Sequence, residues 1–162
     1  MNFIRPKKSL GQNFLIDNNV INIIIEQGNI SNKDVVLEIG PGTGNLTNKI
    51  LNKKPKKLIV IEKDTNLSNE LNKKFNNKIK IINDDILKIN EKQISDEKMI
   101  VFGNLPYNIS SQILVKWIKL SYLNFFSKRF ILTFQKEVAD RIIAKFNTSN
   151  YGRLSIICNW KL

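Results

Sequence analysis

Five short apolar runs recur along the chain, each rich in β-branched residues and bounded by polar or glycine punctuation. They are Val35-Val36-Leu37-Glu38-Ile39, Leu58-Ile59-Val60-Ile61-Glu62, Ile79-Lys80-Ile81-Ile82, Met99-Ile100-Val101-Phe102 and Arg129-Phe130-Ile131-Leu132-Thr133-Phe134. Runs of this length without polar alternation read as strands buried on both faces. Between them the spacing predicts helices over Asn18 to Gln27, with Asp17 as cap and Gly28 as stop, over Leu46 to Leu51, Asn66 to Phe75, Ser110 to Leu120, and Gln135 to Phe146. The last would carry Val138, Ala139, Ile142 and Ile143 on one face. Strand and helix alternating in this way predict an α/β fold with a mostly parallel sheet flanked by helices, and ligands at the carboxyl ends of the strands. A sixth strand is expected at Leu154 to Trp160, with two residues after it. No internal repeat or Pro/Gly/Ser linker divides the chain, so residues 1–162 read as one domain.

Composition narrows the chemistry. The 162 residues include no histidine and a single cysteine, Cys158. Ser-His-Asp and Cys-His catalysis, histidine-containing zinc sites and an internal disulfide are therefore excluded, and no metal is expected. A reducing cytoplasmic setting fits, and neither a membrane-spanning run nor a leader is read. The formal charge is +12, from 26 Lys and Arg against 14 Asp and Glu. Such a balance suits a polyanionic partner, because basic groups release counterions when they meet phosphates. The 22 Lys against 4 Arg, with 26 Ile and 23 Asn, also indicate codons driven toward A and T, so part of the charge reads as drift on a solvated surface.

The first chemically loaded stretch is Glu38-Ile39-Gly40-Pro41-Gly42-Thr43-Gly44, directly after a strand and before a helix. Glycines there allow backbone conformations and a close approach that a Cβ would block, and the next helix offers oriented amides. The dinucleotide fingerprint wants glycine where this chain has Asn45, and no Gly-Lys-Ser/Thr triplet marks a P-loop. Glu62, about 20 residues on, stands where a carboxylate can accept from both ribose hydroxyls. Asn83-Asp84-Asp85-Ile86 would bring a carboxylate toward an adenine amine and Ile86 against its ring. Together these describe an adenosine without a pyrophosphate.

These residues resemble the class I S-adenosylmethionine-dependent methyltransferases, whose Rossmann-like fold and cofactor the resemblance implies. It places Gly40, Gly42 and Gly44 near the methionine part, Glu62 at the ribose and Asp85 at the adenine. The preference for Asp85 over Asp84 rests on aligning Asp85-Ile86-Leu87 with the family's Asp-Ala-Leu pattern.

The fourth strand runs into Gly103-Asn104-Leu105-Pro106-Tyr107-Asn108-Ile109-Ser110. Asn104 supplies an amide oxygen, Pro106 restrains Leu105 to extended geometry, and Tyr107 offers an aromatic face. Two adjacent acceptors, the Asn104 side chain and the Leu105 carbonyl, suit the two hydrogens of an exocyclic amine. The segment resembles the Asn/Asp-Pro/Leu-Pro-Tyr motif of amino-methyltransferases.

The basic arm Lys7-Lys8-Ser9-Leu10-Gly11-Gln12-Asn13-Phe14-Leu15, with Phe134-Gln135-Lys136-Glu137-Val138-Ala139 and Tyr151-Gly152-Arg153-Leu154, extends the likeness. The chain resembles the ribosomal RNA adenine N6,N6-dimethyltransferase family over essentially its whole length. Within it the match is nearest to small-subunit enzymes that dimethylate two adjacent adenosines near the 3′ end of that RNA. Asn13 and Leu15 would then join the cofactor pocket with Asn104, and Tyr107 and Phe134 would contact an extruded adenine. The resemblance also implies a monomer acting on a pre-ribosomal particle. Members normally continue through a seventh strand and a small helical domain, so a truncated catalytic domain is expected, its Leu154 to Trp160 strand lacking a neighbour. The rival readings are a large-subunit adenine methyltransferase of the macrolide-resistance type and a non-catalytic RNA-binding assembly factor.

Overall fold

The computed structural model describes residues 12–106, 108–120 and 126–161. Five strands, β1 (Val35–Ile39), β2 (Lys57–Ile61), β3 (Lys80–Ile82), β4 (Met99–Asn104) and β5 (Ser127–Thr133), form one sheet in the order β3-β2-β1-β4-β5. Every pairing is parallel. The expected strands are present with ends displaced by a residue or two, which leaves Glu62 just past β2 rather than inside it.

Alternation along the strands sorts the core into two layers. Val35, Leu37, Ile39, Ile59, Ile61, Met99 and Val101 face one side, where Ile113 and Trp117 of α4 (Ser110–Ile118) cover them. Val36, Leu58, Val60, Ile100 and Phe102 face the other, under Ile21, Ile24 and Ile25 of α1 (Asn18–Gly28) and Leu46 and Ile50 of α2 (Asn45–Asn52). The third crossover helix, α3 (Thr65–Phe75), buries Leu67, Leu71 and Phe75. Sheet burial on both faces explains why the strands read as unbroken apolar runs. Among the described residues no helix is long and apolar enough to cross a membrane.

Asp17 caps α1 as expected, accepting from the Asn19 and Val20 amides. The helix, however, includes Gly28 and stops at Asn29, which takes the left-handed conformation at φ 45°. Gly28 is needed for space instead: a Cβ there would run into the Phe102 ring.

Two expectations for the last third of the chain are corrected. The helix predicted over Gln135 to Phe146 is α5 (Lys136–Ile142), and it ends early in a turn closed by the Thr148 amide on the Lys145 carbonyl, with Asn147 at φ 65°. Ile143 and Phe146 consequently stand exposed, whereas Val138, Ala139 and Ile142 are half-buried. Leu154 to Trp160 is not a strand but lies in a helix, α6 (Arg153–Lys161). Ser155 and Cys158 are buried while Ile156 and Trp160 are exposed, a three-to-four-residue period that no strand can present. Cys158 packs with Leu114 and Ile118 of α4. The Ser155 hydroxyl donates to the Arg141 carbonyl at 2.6 Å, tying α6 to α5. The segment thus needs no strand neighbour, and β5 is the sheet edge among the described residues.

Candidate active site

The strand order reverses across β1, whose neighbours are β2 and β4, and a crevice opens at the carboxyl ends there. Three chain segments meet in it. Gly40 follows β1, Glu62 follows β2 and Asn104 ends β4; an ideal Cβ on Gly40 would come within 3.9 Å of the Asn104 carbonyl. Residues 12–14 close the near side. The cavity, counted out to its open mouth, is about 820 Å³ and is walled by Gly40, Gly42, Glu62, Asp84, Asp85, Ile86, Asn104 and Pro106, with Asn13 and Phe14.

The glycine loop is held from below by Glu62. Its Oε2 accepts from the Gly42 amide at 3.2 Å and its Oε1 from the Asp64 amide at 2.9 Å. Burial pushes the Glu62 carboxyl upward and outweighs these two amide bonds, which favour ionisation. Gly42 sits at φ 57°, and a Cβ there would meet the Phe14 ring at 2.9 Å, so glycine serves both turn and ligand wall. Asn83 donates to the Glu62 carbonyl at 2.8 Å, joining the second and third strand ends. Asp85 Oδ2 pairs with Lys63 at 2.9 Å, and its Oδ1 accepts from the Leu87 amide at 3.0 Å. Partial burial raises the Asp85 pKa, but Lys63 and the amide prevail and hold it below the ordinary value. Asp84, which also lines the cavity, accepts from the Asp85 amide at 2.6 Å.

At the end of β4 the orientation of the Asn104 amide is set from both sides. Its Nδ2 donates to the Asn13 carbonyl at 2.9 Å, and its Oδ1 accepts the Thr133 hydroxyl at 2.7 Å. A carbonyl can only accept, so the nitrogen must face Asn13, and Oδ1 keeps one lone pair for a further donor. Pro106 follows, its carbonyl accepting from Ile109 and Ser110 to start α4. The Leu105 side chain is in the core, so this residue can serve the site only through its backbone.

Not every expected residue reaches the cavity. Gly44, at the start of α2, makes room for Phe75 and Leu71, the nearest of which a Cβ would approach to 2.6 Å, and does not line the cavity. Leu15 lies in a side recess with Glu38 and Asn45, its carbonyl accepting from Asn45 Nδ2 at 2.9 Å. Phe134 is half-buried against Leu114, Ile118 and Cys158 and does not wall the cavity, because Thr133 is the residue of that pair turned toward Asn104. Tyr107 and the Lys7-Lys8 arm lie outside the described residues. Thr133, Lys63 and Phe14 are contacts that sequence reading missed. Only Thr133 carried a signal, as a polar residue at a strand end, and its register partner is Asn104.

Behind the loop, Glu38 is almost wholly buried and its Oε2 has no hydrogen-bond partner among the described residues. Burial, opposed by Thr47 and aided by repulsion from Glu62, lifts its pKa from 4.5 to about 8. The native state therefore keeps a proton that the unfolded chain releases near 4.5, so stability falls as pH rises from there through about 8. Thermal melts from about pH 5 to about pH 9 should show this decline, of order a few kcal/mol at ~1.4 kcal/mol per pH unit, and Glu38→Gln should flatten it. Parallel pH profiles for the two proteins would contradict this assignment.

Comparison with known proteins places the chain in a family. The profile of the family described as ribosomal RNA adenine dimethylase matches residues 4–161. The chain belongs to the ribosomal RNA adenine dimethylase family. Among family relatives, ribosomal RNA small subunit methyltransferase A of Pelagibacter ubique is 62% identical over 160 residues, covering 99% of this chain and 61% of that protein. Its counterpart in Ehrlichia chaffeensis is 46% identical, covering 95% and 59%. Of solved structures, a dimethyladenosine transferase from Plasmodium falciparum superposes with a TM-score of 0.76 at 35% identity, over 90% of this chain and 51% of that one. The 23S rRNA methyltransferase ErmE gives 0.70 at 27%, over 90% and 55%. The chain thus spans about three fifths of the length of these curated relatives, and its fold is the Rossmann-like one of class I methyltransferases.

Proposed function

We propose that this chain is the catalytic domain of an S-adenosylmethionine-dependent enzyme that dimethylates N6 of two adjacent adenosines near the 3′ end of small-subunit rRNA. The observation that carries the reading is the oriented Asn104 amide, set in the wall of an acidic crevice in an otherwise basic protein. Glu62, Asp84 and Asp85 wall that crevice, with Lys63 already paired to Asp85. Such a lining repels phosphates and suits an adenosine that carries a cationic side arm. Glu62 would take the ribose, Ile86 the adenine ring and Asp84 or Asp85 its amine, with Gly40 and Gly42 leaving room for the methionine part. When bound, the cofactor supplies an electrophilic methyl on a sulfonium.

Adenine N6 is a weak nucleophile because its lone pair is delocalised into the ring. Asn104 Oδ1 and the Leu105 carbonyl would accept its two hydrogens, favouring a pyramidal nitrogen as positive charge develops. The rigidity that Pro106 and the Asn13 and Thr133 contacts give this slot makes positioning the main device. No histidine or metal is required, since the alkylated nitrogen is acidic and loses its proton to water. Tyr107 is proposed to steady the extruded base, and Phe134 to offer it the part of its ring that Leu114, Ile118 and Cys158 leave uncovered. The relatives' names favour the small subunit, and we place the reaction on a pre-ribosomal particle in the cytoplasm, carried out by a monomer.

Incubation with radiolabelled S-adenosylmethionine and either unmethylated small subunits, naked small-subunit RNA or large-subunit RNA, followed by mapping of the base, tests this. Label on adjacent small-subunit adenosines is expected. Label confined to large-subunit RNA would favour the macrolide-resistance type, and cofactor binding without any transfer would favour a non-catalytic assembly factor.

A further inference from the structure

A second hollow, about 1450 Å³ when counted to its open mouth, runs between α4, α5 and the turn that leads into α6. Its basic lining is Lys119, Arg141 and Arg153, and its polar lining includes Ser111, Gln112 and Tyr151; no acidic side chain is among the described residues that wall it. The three basic side chains are exposed and make no ion pair or hydrogen bond among the described residues.

The choice of arginine is informative in a chain that has 22 Lys and only 4 Arg. Where charge alone is wanted, this sequence writes lysine. Arg129 has a reason to be arginine, since its guanidinium donates to the Gln27 and Gly28 carbonyls at 2.9 and 3.3 Å. Arg5 lies outside the described residues. The other two both wall this one groove, with no acceptor among the described residues to explain them. A planar fork of donors matches phosphodiester oxygens in a way an ammonium does not.

The groove also has a fixed relation to the crevice. Ile109 and Ile113 wall the crevice, while Ser111, Gln112 and Val115 from the same first turns of α4 wall the groove. An acidic hole that rejects phosphate therefore adjoins a basic channel that attracts it. We infer that the groove between α4, α5 and α6 seats the phosphodiester backbone of the RNA strand flanking the target base, with Arg141 and Arg153 as its bidentate phosphate contacts. This rests on the RNA-methylating reading above and specifies where the strand runs.

The test is binding of unmethylated small-subunit RNA to the whole chain as a function of salt. Arg141→Gln with Arg153→Gln should weaken binding at least tenfold and reduce the slope of log K against log salt by about 1.4, roughly 0.7 per lost contact to a single-stranded phosphate. Arg141→Lys with Arg153→Lys should restore the slope but not the affinity. Lys53→Gln with Lys78→Gln, on exposed positions elsewhere, should cost much less, and S-adenosylmethionine binding should be unchanged in all of them. An arginine double variant that binds RNA like the parent, or lysine controls that lose as much, would overturn the groove alone. Equal binding and equal losses with polyglutamate would overturn RNA as its occupant. A parent chain that binds S-adenosylmethionine but no RNA would overturn the functional reading itself.

Discussion

Asn104→Ala is expected to reduce methyl transfer by about a thousandfold or more, roughly 4 kcal/mol of barrier, while raising the cofactor dissociation constant no more than about tenfold. The asymmetry follows from where the side chain is spent. Asn104 Oδ1 has one lone pair committed to the Thr133 hydroxyl at 2.7 Å and one free for an amine hydrogen. That acceptor matters most when the nitrogen pyramidalises, so its loss falls on turnover. The cofactor keeps Glu62, Ile86 and the glycine loop. Some weakening is expected, because Nδ2 also holds the Asn13 carbonyl at 2.9 Å and with it the segment that closes the crevice. Asn104→Asp separates the two effects: it keeps an acceptor, gives up the donor to Asn13 and sets a negative charge against that carbonyl, so partial turnover should accompany weaker cofactor binding. Single-turnover rates together with equilibrium dialysis distinguish the two, and full turnover in Asn104→Ala would refute the amine-slot argument.

The elements legible in the sequence were those whose environment leaves a local trace. Strands β1 to β5 were legible because burial on both faces demands runs such as Val35 to Ile39, every residue of which is buried. Glu62 and Asn104 were legible because strand ends at a parallel sheet's carboxyl edge are where ligands bind. Leu154 to Trp160 misled because a short apolar run fits a strand or a helix equally well. What decides it is tertiary: Ser155 and Cys158, three apart, face α5 and α4. The supports of the site were invisible for the same reason. Lys116 donates to the Ile86 and Ile89 carbonyls at 2.7 Å and pairs with the buried Glu91, which also takes the Trp117 indole N–H at 2.9 Å. This clamp fixes the turn after Asp85 from a helix 27 to 30 residues away. No spacing rule connects such residues. Gly44 shows the converse, a motif glycine whose place in the pattern suggested a ligand contact and whose neighbours are Phe75 and Leu71.

Glu62→Ala should weaken S-adenosylmethionine binding by about a hundredfold or more, near 3 kcal/mol, with a smaller change in the rate of transfer at saturating cofactor. Two losses add in this variant. The carboxylate proposed to accept the ribose hydroxyls is gone, and the Gly42 and Asp64 amides that it held at 3.2 and 2.9 Å lose their acceptor, so the glycine loop is no longer fixed in its open turn. Glu62→Gln keeps the shape but turns an amide N–H₂ toward one of two backbone donors, so an intermediate loss is expected. The parent protein should also bind the cofactor more tightly as pH rises above the ordinary 4.5, because burial holds the Glu62 carboxyl protonated beyond that point and only the ionised form accepts from both amides and both hydroxyls. Ligand preference for the ionised form fixes the sign: affinity climbs as the proton leaves and levels off once it has gone. Glu62→Ala should lose this part of the pH dependence along with the affinity. Dialysis across the pH range reads both, and unchanged affinity in Glu62→Ala would remove Glu62 from the cofactor site.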